Sequence, residues 1–278
     1  MKIAMNLLLW SGTLTEEHLP LLDKMAAIGF DGVELPMYDL TASPWQAIAR
    51  RCDDLGLGRN ADTIVQDDFC LVSDDPAVRQ RGVDFLRGAL DLCASIGVDI
   101  LAGPFVTPVG KLVGRGRTPD EWNRAVDCLI PVAQHAKKVG VKLSYEPLNR
   151  FESYFCNTAE DATRLVQAVG VDSFGLLFDT FHANIEELDL PAAVRAAGPA
   201  INHFHISNND RSTPGTGHIP FKAVAAALAD IGYDDWATIE AFGQSLPELA
   251  AATCIWRRMY DTEEQLATDG LAFSRSLF

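Results

Sequence analysis

Four side chains that can bind a metal ion or move a proton sit at or near the end of an apolar run typical of a buried strand. They are Glu146 after VKLSY, Asp179 after FGLLF, His205 within INHFHI and Glu240 within ATIEAF. Three carboxylates held close together repel one another, so they need a cation to stay ionised together. Carboxylate oxygens with one imidazole suit a divalent ion such as Mn²⁺, Co²⁺ or Mg²⁺. If these strand ends meet, the sequence predicts a metal site.

Each of these residues also has a purely structural interpretation. Glu146 could form a surface ion pair with a nearby arginine, which contributes little to stability. Asp179 could be the N-cap of a following helix. His205 could be a hydrogen-bonded core histidine beside His203, which lies on the same face of the strand. Glu240 is the hardest to explain in this way, because a carboxylate in a buried strand is costly unless it is paired or bound to a metal.

Three further polar residues follow the same strand ends. Glu152 lies six residues after Glu146, His182 three after Asp179, and Arg211 six after His205. Their side chains can donate or accept directional hydrogen bonds, and His182 and Arg211 could polarise a carbonyl group or hold hydroxyl groups. Surface loops are polar in any case, so each is a weak signal by itself.

The elements that must position these residues alternate regularly between strands and helices. The predicted strands cover residues 2–10, 32–37, 58–65, 99–105, 141–145, 174–178, 201–206 and 236–241. Helical patterns begin near residue 15 and cover 44–55, 74–96, 119–139, 158–169 and 262–276. Short, continuously apolar strands that alternate with helices indicate a parallel sheet covered by helices.

Eight such units in a chain of this length predict a single-domain α/β fold over residues 1–278, a (β/α)8 TIM barrel. The alternative is a doubly wound open sheet, but no G-x-G-x-x-G motif follows the first strand. In a barrel of this kind the active site lies at the carboxyl ends of the strands, where the four candidate ligands are predicted. The Gly/Pro-rich stretch GPFVTPVGKLVGRGRTP after strand four is long enough to be a lid or binding loop.

Composition narrows the class of protein. The chain has 278 residues, 48% of them hydrophobic, and a formal net charge of -15. So acidic a surface repels phosphate backbones and anionic lipids, which argues against nucleic-acid and membrane partners. The six cysteines show no C-x-x-C spacing, and Cys93 and Cys128 lie on apolar helical stripes, as core residues do. The apolar start MKIAMNLLLWSG lacks a small-residue cleavage site, so we interpret it as the first strand of a cytoplasmic protein.

The segments EPLNRFE, FDTFHANIEE, HFHISNNDR and TIEAF resemble the motifs of the ketose 3-epimerases, the D-tagatose, D-psicose (allulose) and L-ribulose 3-epimerase group. That group belongs to the xylose isomerase-like TIM barrel superfamily. The resemblance runs along the whole chain, and it includes SDDPAVRQRGVDFLRGALDLCASIGV and PGTGHIPF, which are common to the superfamily. The specific part is EPLNRFE.

The resemblance implies an isomerase that inverts C3 of a free ketose through a cis-enediolate. It implies four metal ligands, which would be Glu146, Asp179, His205 and Glu240. Glu146 and Glu240 would also be the catalytic acid/base pair. Residues that would contact the sugar are Glu152, His182, Arg211 and, as a hydrophobic contact, Phe242. The implied metal is Mn²⁺, with Co²⁺ or Mg²⁺ as alternatives, and the implied assembly is a homodimer or homotetramer.

Two departures from the resemblance concern the end of the pocket that would hold C4 to C6. Asn6 stands where tagatose epimerase-like sequences tend to carry an aromatic residue, so we expect Asn6 to contact the substrate. The GPFVTPVG loop lacks a tryptophan that some members carry. Both departures bear on which ketose is preferred rather than on the chemistry.

Other activities share this kind of barrel. An aldose–ketose isomerase of the hydroxypyruvate isomerase type would transfer a proton between C1 and C2, and an inosose dehydratase-like lyase would release water. An endonuclease IV-like DNA-binding barrel is disfavoured by the acidic charge and by the lack of additional metal ligands. A non-catalytic sugar- or metal-binding barrel is disfavoured by the two glutamates.

Overall fold

The computed structural model describes residues 1–278, in which eight parallel strands close into a barrel in the order β1 to β8, with β1 pairing with β8. The strands are β1 Lys2–Asn6, β2 Gly32–Pro36, β3 Gly58–Asp62, β4 Ile100–Gly103, β5 Lys142–Tyr145, β6 Phe174–Asp179, β7 Ile201–Ile206 and β8 Trp236–Ile239. The predicted (β/α)8 TIM barrel is confirmed.

Helices cover the outside of the barrel. They are α1 Leu19–Ile28, α2 Trp45–Leu55, α3 Pro76–Ser95, α4 Pro119–Val139, α5 Ala159–Val169, α6 Thr180–Glu186, α7 Leu190–Ala197, α8 Phe221–Asp230, α9 Pro247–Ala252 and α10 Glu263–Arg275. Side chains of Asp75, Thr118 and Thr158 cap the amino ends of α3, α4 and α5. Cys93 and Cys128 are buried free thiols, as predicted. None of the helices combines the length and apolar character that a membrane span requires.

The first strand is shorter than the predicted 2–10. It ends at Asn6, whose side-chain oxygen accepts a hydrogen bond from the backbone N–H of Leu8 at 2.8 Å. That bond caps a 3₁₀ turn over Leu7–Leu9, so the apolar run continues as a buried turn instead of a strand. Apolar character alone does not distinguish these two structures, since both are buried.

The strands contribute both apolar and polar buried side chains. Ala4, Ala102, Leu177 and Trp236 belong to one buried apolar cluster. The buried polar side chains of the strands include Asn6, Glu34, Asn60, His203 and Thr238. In a barrel of this kind, ligands bind at the carboxyl ends of the strands.

Candidate active site

The four predicted ligands come together at the carboxyl ends of the last four strands. Asp179 ends β6 and lies opposite His205 of β7, while Glu146 and Glu240 directly follow β5 and β8. One ligand atom from each lies within 4.8 Å of the others, and all four side chains are buried. The ladder holds them in place, because the backbone N–H of Glu146 donates to the neighbouring strand β4 and that of Glu240 to β7.

The centre of this group fits a cation. His205 Nδ1 lies 3.6 Å from Asp179 Oδ2 and 3.6 Å from Glu240 Oε1. His205 Nδ1 and Glu146 Oε1 are buried and lack a hydrogen-bond partner, although buried polar atoms normally have one. Burial and the nearby charge of Glu240 raise the pKa of Glu146 well above its usual value, and a bound cation would offset this repulsion. Three carboxylates and one imidazole are a donor set suited to Mn²⁺, Co²⁺ or Mg²⁺.

Asp179 caps a helix with one carboxylate oxygen and faces the cluster with the other, so the two interpretations of its sequence position are compatible. Its Oδ1 accepts hydrogen bonds from the backbone N–H groups of Phe181 at 2.6 Å and His182 at 3.0 Å, which caps α6. Its Oδ2 accepts a bond from the Ser207 hydroxyl at 2.6 Å. Burial would raise the pKa of Asp179, but the charges of Arg211 and of the nearby His205 hold it well below its usual value. The cap therefore fixes an ionised carboxylate that faces the cluster.

The positively charged side chain of Arg211 contacts this cluster. Its Nη1 donates to Glu240 Oε2 at 2.5 Å and to Asp179 Oδ2 at 3.3 Å. Its Nη2 lies 3.0 Å from His182 Nε2. This contact fixes the orientation of Glu240, one of the two predicted acid/base groups.

The Arg211 guanidinium is held between two aromatic rings. Its central carbon lies 3.9 Å from the centre of the Phe181 ring and 4.7 Å from that of Phe242. The Arg211 backbone has a φ of 63°, a left-handed conformation that is uncommon outside glycine and costs free energy. Its carbonyl accepts a bond from the backbone N–H of Phe242 at 2.9 Å. Local strain and two rings thus place Arg211, and the contact of Phe242 with a sugar stays a prediction.

Asn149, in the loop that follows β5, contacts both His182 and Glu152. The backbone N–H of Asn149 donates to His182 Nδ1 at 3.1 Å, and His182 Nε2 lies 3.5 Å from Glu146 Oε1. Burial and the charge of Arg211 lower the pKa of His182 to about 3, which keeps the ring neutral. The Asn149 side chain donates to Glu152 Oε1 at 2.7 Å. Glu152 is half-buried at the edge of the site, and its contact with a sugar stays a prediction.

Asn6 lies deeper than predicted for a sugar contact. Its side-chain nitrogen donates to Glu34 Oε1 at 3.0 Å and its oxygen caps the turn after β1. Only 1% of Asn6 is exposed. The structure does not bring it to the four ligands, and its role in binding substrate stays a prediction.

Glu34 is the polar residue of this region that the sequence interpretation missed. It lies in β2, is fully buried, and accepts a hydrogen bond from His203 Nε2 at 2.6 Å. Burial would raise the pKa of Glu34, but the nearby His205 and His203 hold it well below its usual value. The sequence could have indicated this role, because a glutamate within the buried strand GVELP is as costly to bury without a partner as Glu240 within TIEAF.

The long loop after β4 packs beside the loop that carries Glu152. The backbone N–H of Gly110 donates to the Glu152 carbonyl at 2.7 Å, and Lys111 pairs with Asp67 at 2.5 Å. Val109 and Leu112 are exposed on the same loop. Its role as a lid stays a prediction.

Known proteins resemble this chain over nearly its whole length. The profile of the xylose isomerase-like TIM barrel family matches residues 22–277. The L-ribulose 3-epimerase of Mesorhizobium japonicum is 34% identical over 275 residues, which cover 98% of this chain and 92% of the relative. A solved structure of an L-ribulose 3-epimerase superposes with a TM-score of 0.93 at 34% identity, covering 99% of this chain and 94% of the other.

A second solved structure contains a sugar. The D-allulose 3-epimerase from Methylomonas sp. in complex with D-allulose superposes with a TM-score of 0.95 at 26% identity, covering 100% of this chain and 97% of the other. The family match and the identity over almost the full length lead to one conclusion. This chain belongs to the xylose isomerase-like TIM barrel family and, within it, to the ketose 3-epimerases, which are isomerases.

Proposed function

We propose that this protein catalyses reversible epimerisation at C3 of a free ketose by a two-base mechanism. The observation that carries the proposal is the pair of carboxylates from Glu146 and Glu240, which lie in one cluster but come from strands three positions apart around the barrel. Inversion at a carbon requires one group to remove a proton from one face and another to deliver a proton to the opposite face. Carboxylates that enter the site from different sides are suited to these two tasks.

The chain's own residues then have distinct roles. One glutamate removes the C3 proton, which gives a cis-enediolate, and the other returns a proton to the opposite face. Arg211 orients Glu240, and its Nη2 together with the neutral His182 is placed to hold hydroxyl or carbonyl oxygens of the sugar. A divalent ion held by Glu146, Asp179, His205 and Glu240 would supply Lewis-acid polarisation of the C2 carbonyl and stabilise the enediolate charge.

The charge of the site favours an unphosphorylated sugar. Arg211 is the only lysine or arginine that contacts the cluster, and it is already paired with Glu240 and Asp179. Phosphate groups are usually bound by unpaired arginine or lysine side chains or by helix amino termini. We therefore propose D-tagatose, D-fructose, D-allulose and L-ribulose as candidate substrates, and Mn²⁺ as the metal, with Co²⁺ or Mg²⁺ as alternatives.

Proton NMR in D₂O tests the proposal. The metal-loaded protein is offered D-tagatose, D-fructose, D-allulose and L-ribulose in separate samples. Deuterium at C3 together with a new C3 epimer is the expected result, and the rates rank the substrates. Deuterium at C1 with an aldose product would instead identify an aldose–ketose isomerase, and loss of water a lyase. If no sugar exchanges protons although the metal is bound, the proposal is overturned.

A further inference from the structure

A second buried ionic cluster lies against the four proposed ligands and shares His205 with them. It consists of Glu34, His203 and His205, from β2 and β7. All three side chains are almost wholly inaccessible to water. Burying a carboxylate this deeply is costly without charged or hydrogen-bonding partners, so the partners of Glu34 must stabilise its charge.

The contacts of Glu34 determine where the ring protons lie. Its Oε2 accepts from His203 Nε2 at 2.6 Å, and its Oε1 accepts from the Asn6 amide at 3.0 Å. His205 Nε2 lies 2.9 Å from the same Oε1, in a contact too bent for a full hydrogen bond. A carboxylate only accepts hydrogen bonds, and a nitrogen lone pair facing it at this distance would be repelled. The proton of His205 therefore belongs on Nε2.

This placement has a direct consequence for the other nitrogen of the same ring. With its proton on Nε2, a neutral His205 has its lone pair on Nδ1, which is the atom that faces Asp179 and Glu240. A histidine can bind a metal only through a nitrogen that carries a lone pair, and the tautomer is commonly fixed by a carboxylate on the far nitrogen. Glu34 occupies that position.

A second metal ion between Glu34 and the two histidines is a poorer explanation. Ligand atoms about 2.1 Å from a tetrahedral ion would lie roughly 3.4 Å from one another. Glu34 Oε2 and His203 Nε2 are only 2.6 Å apart, which is a hydrogen-bond distance. The cluster thus acts through hydrogen bonds and charge.

We infer that Glu34 is a positioning residue, which holds His205 in the tautomer and orientation that present Nδ1 to the metal, while Asn6 orients Glu34. The inference rests on the proposed function insofar as it takes the four-residue cluster to be the metal site. It assigns Asn6 a structural contribution within the site, through its amide donation to Glu34.

Metal affinity measured without any sugar is the first test. Titration calorimetry with Mn²⁺ compares the wild type with Glu34→Gln, which keeps the side-chain shape but removes the charge and one acceptor oxygen. Loss of such an outer partner typically weakens metal binding about 10–100-fold, and that is the expected change. Glu34→Asp, one methylene shorter, keeps the charge and is expected to fall between the two; it also serves as the test if Glu34→Gln does not fold.

The matched control is Thr63→Val. Thr63 is equally buried in the barrel, and its hydroxyl donates to the Met37 carbonyl at 2.8 Å without contacting Glu34 or His205. We expect wild-type Mn²⁺ affinity from this variant. Wild-type affinity in Glu34→Gln, or an equal weakening in Thr63→Val, would overturn the inference.

A spectroscopic readout tests the tautomer in the unmutated protein. With ¹⁵N-labelled histidine and Zn²⁺ as a diamagnetic probe, long-range ¹H–¹⁵N spectra should show His205 protonated on Nε2 and metal-bound through Nδ1. Binding through Nε2, or a proton on Nδ1, would overturn the inference. Because neither measurement involves a ketose, failure of the epimerisation assay leaves both results interpretable.

Discussion

Two groups of charged side chains on the same end of the barrel differ in how their glutamate oxygens are paired. Beside the long loop, Glu121 of α4 has both carboxylate oxygens paired: Oε1 with Tyr154 at 3.0 Å and Arg115 at 3.1 Å, Oε2 with the Thr118 N–H at 2.6 Å and Arg115 at 2.8 Å. In the four-residue cluster, Glu146 Oε1 has no hydrogen-bond partner.

The pKa values of the two glutamates show what this difference means. Although burial would raise it, hydrogen bonds from Arg115 and Thr118 lower the pKa of Glu121 to about 2. Burial and the charge of Glu240 raise the pKa of Glu146 well above its usual value. Glu121 thus has its partners in the protein, whereas Glu146 Oε1 lacks a partner until a ligand supplies one, and such perturbed carboxylates are typical of functional sites. Replacing a glutamate with glutamine should therefore reduce catalysis in the four-residue cluster and reduce stability at Glu121.

The largest expected effect is on catalysis. Glu240→Gln removes one of the two proton-transfer groups, and each such group contributes typically about 10²–10⁴-fold to the rate. We expect epimerisation to fall by at least that factor, while some metal binding remains because three ligands persist. Glu121→Gln is the matched control and should keep wild-type turnover. Full activity in Glu240→Gln would contradict its assignment as an acid/base residue.

Metal removal should be the next largest effect. Dialysis against a chelator is expected to abolish C3 exchange, and added Mn²⁺ to restore it. A ligand that binds only the folded state at 100 times its Kd stabilises that state by about 2.7 kcal/mol. Thermal unfolding of the chelated protein should therefore shift upwards by several degrees when Mn²⁺ is added. Undiminished activity in the chelator would remove the metal from the proposal.

The meeting of the four candidate ligands could be predicted from the sequence, and the reason is geometric. In a parallel barrel, every strand brings its carboxyl end to the same rim, so the positions of Glu146 and Asp179 at strand ends predict that they meet. The partnership of Glu34 with His203 could not be predicted in this way. These residues are 169 positions apart, and their contact depends on how far side chains reach across the barrel interior. The left-handed backbone of Arg211 also has no signal in its residue type.

The substitution Glu121→Gln, by contrast, should cause a moderate loss of stability. Glu121→Gln leaves Arg115 and Tyr154 with a weaker acceptor and removes a charge-assisted hydrogen bond from the start of α4. Losing a hydrogen bond to a charged group costs about 1.5–3 kcal/mol, and the exposure of Arg115 favours the lower end. Urea unfolding at pH 7 measures the change. An unchanged midpoint would show that the pairing contributes nothing to stability.

The smallest expected effect is the pH dependence of the stability difference between the wild type and Glu121→Gln. The pKa of Glu121 is lowered from 4.5 to about 2 in the folded chain, so its ionised form stabilises folding. That contribution is complete above pH 4.5 and disappears as pH falls towards 2, because the folded state then also binds the proton. Glutamine does not titrate, so the gap between wild type and Glu121→Gln should narrow from pH 5 to pH 3 in urea unfolding. A gap of constant size would mean that it reflects altered packing around α4 instead of the charge of Glu121.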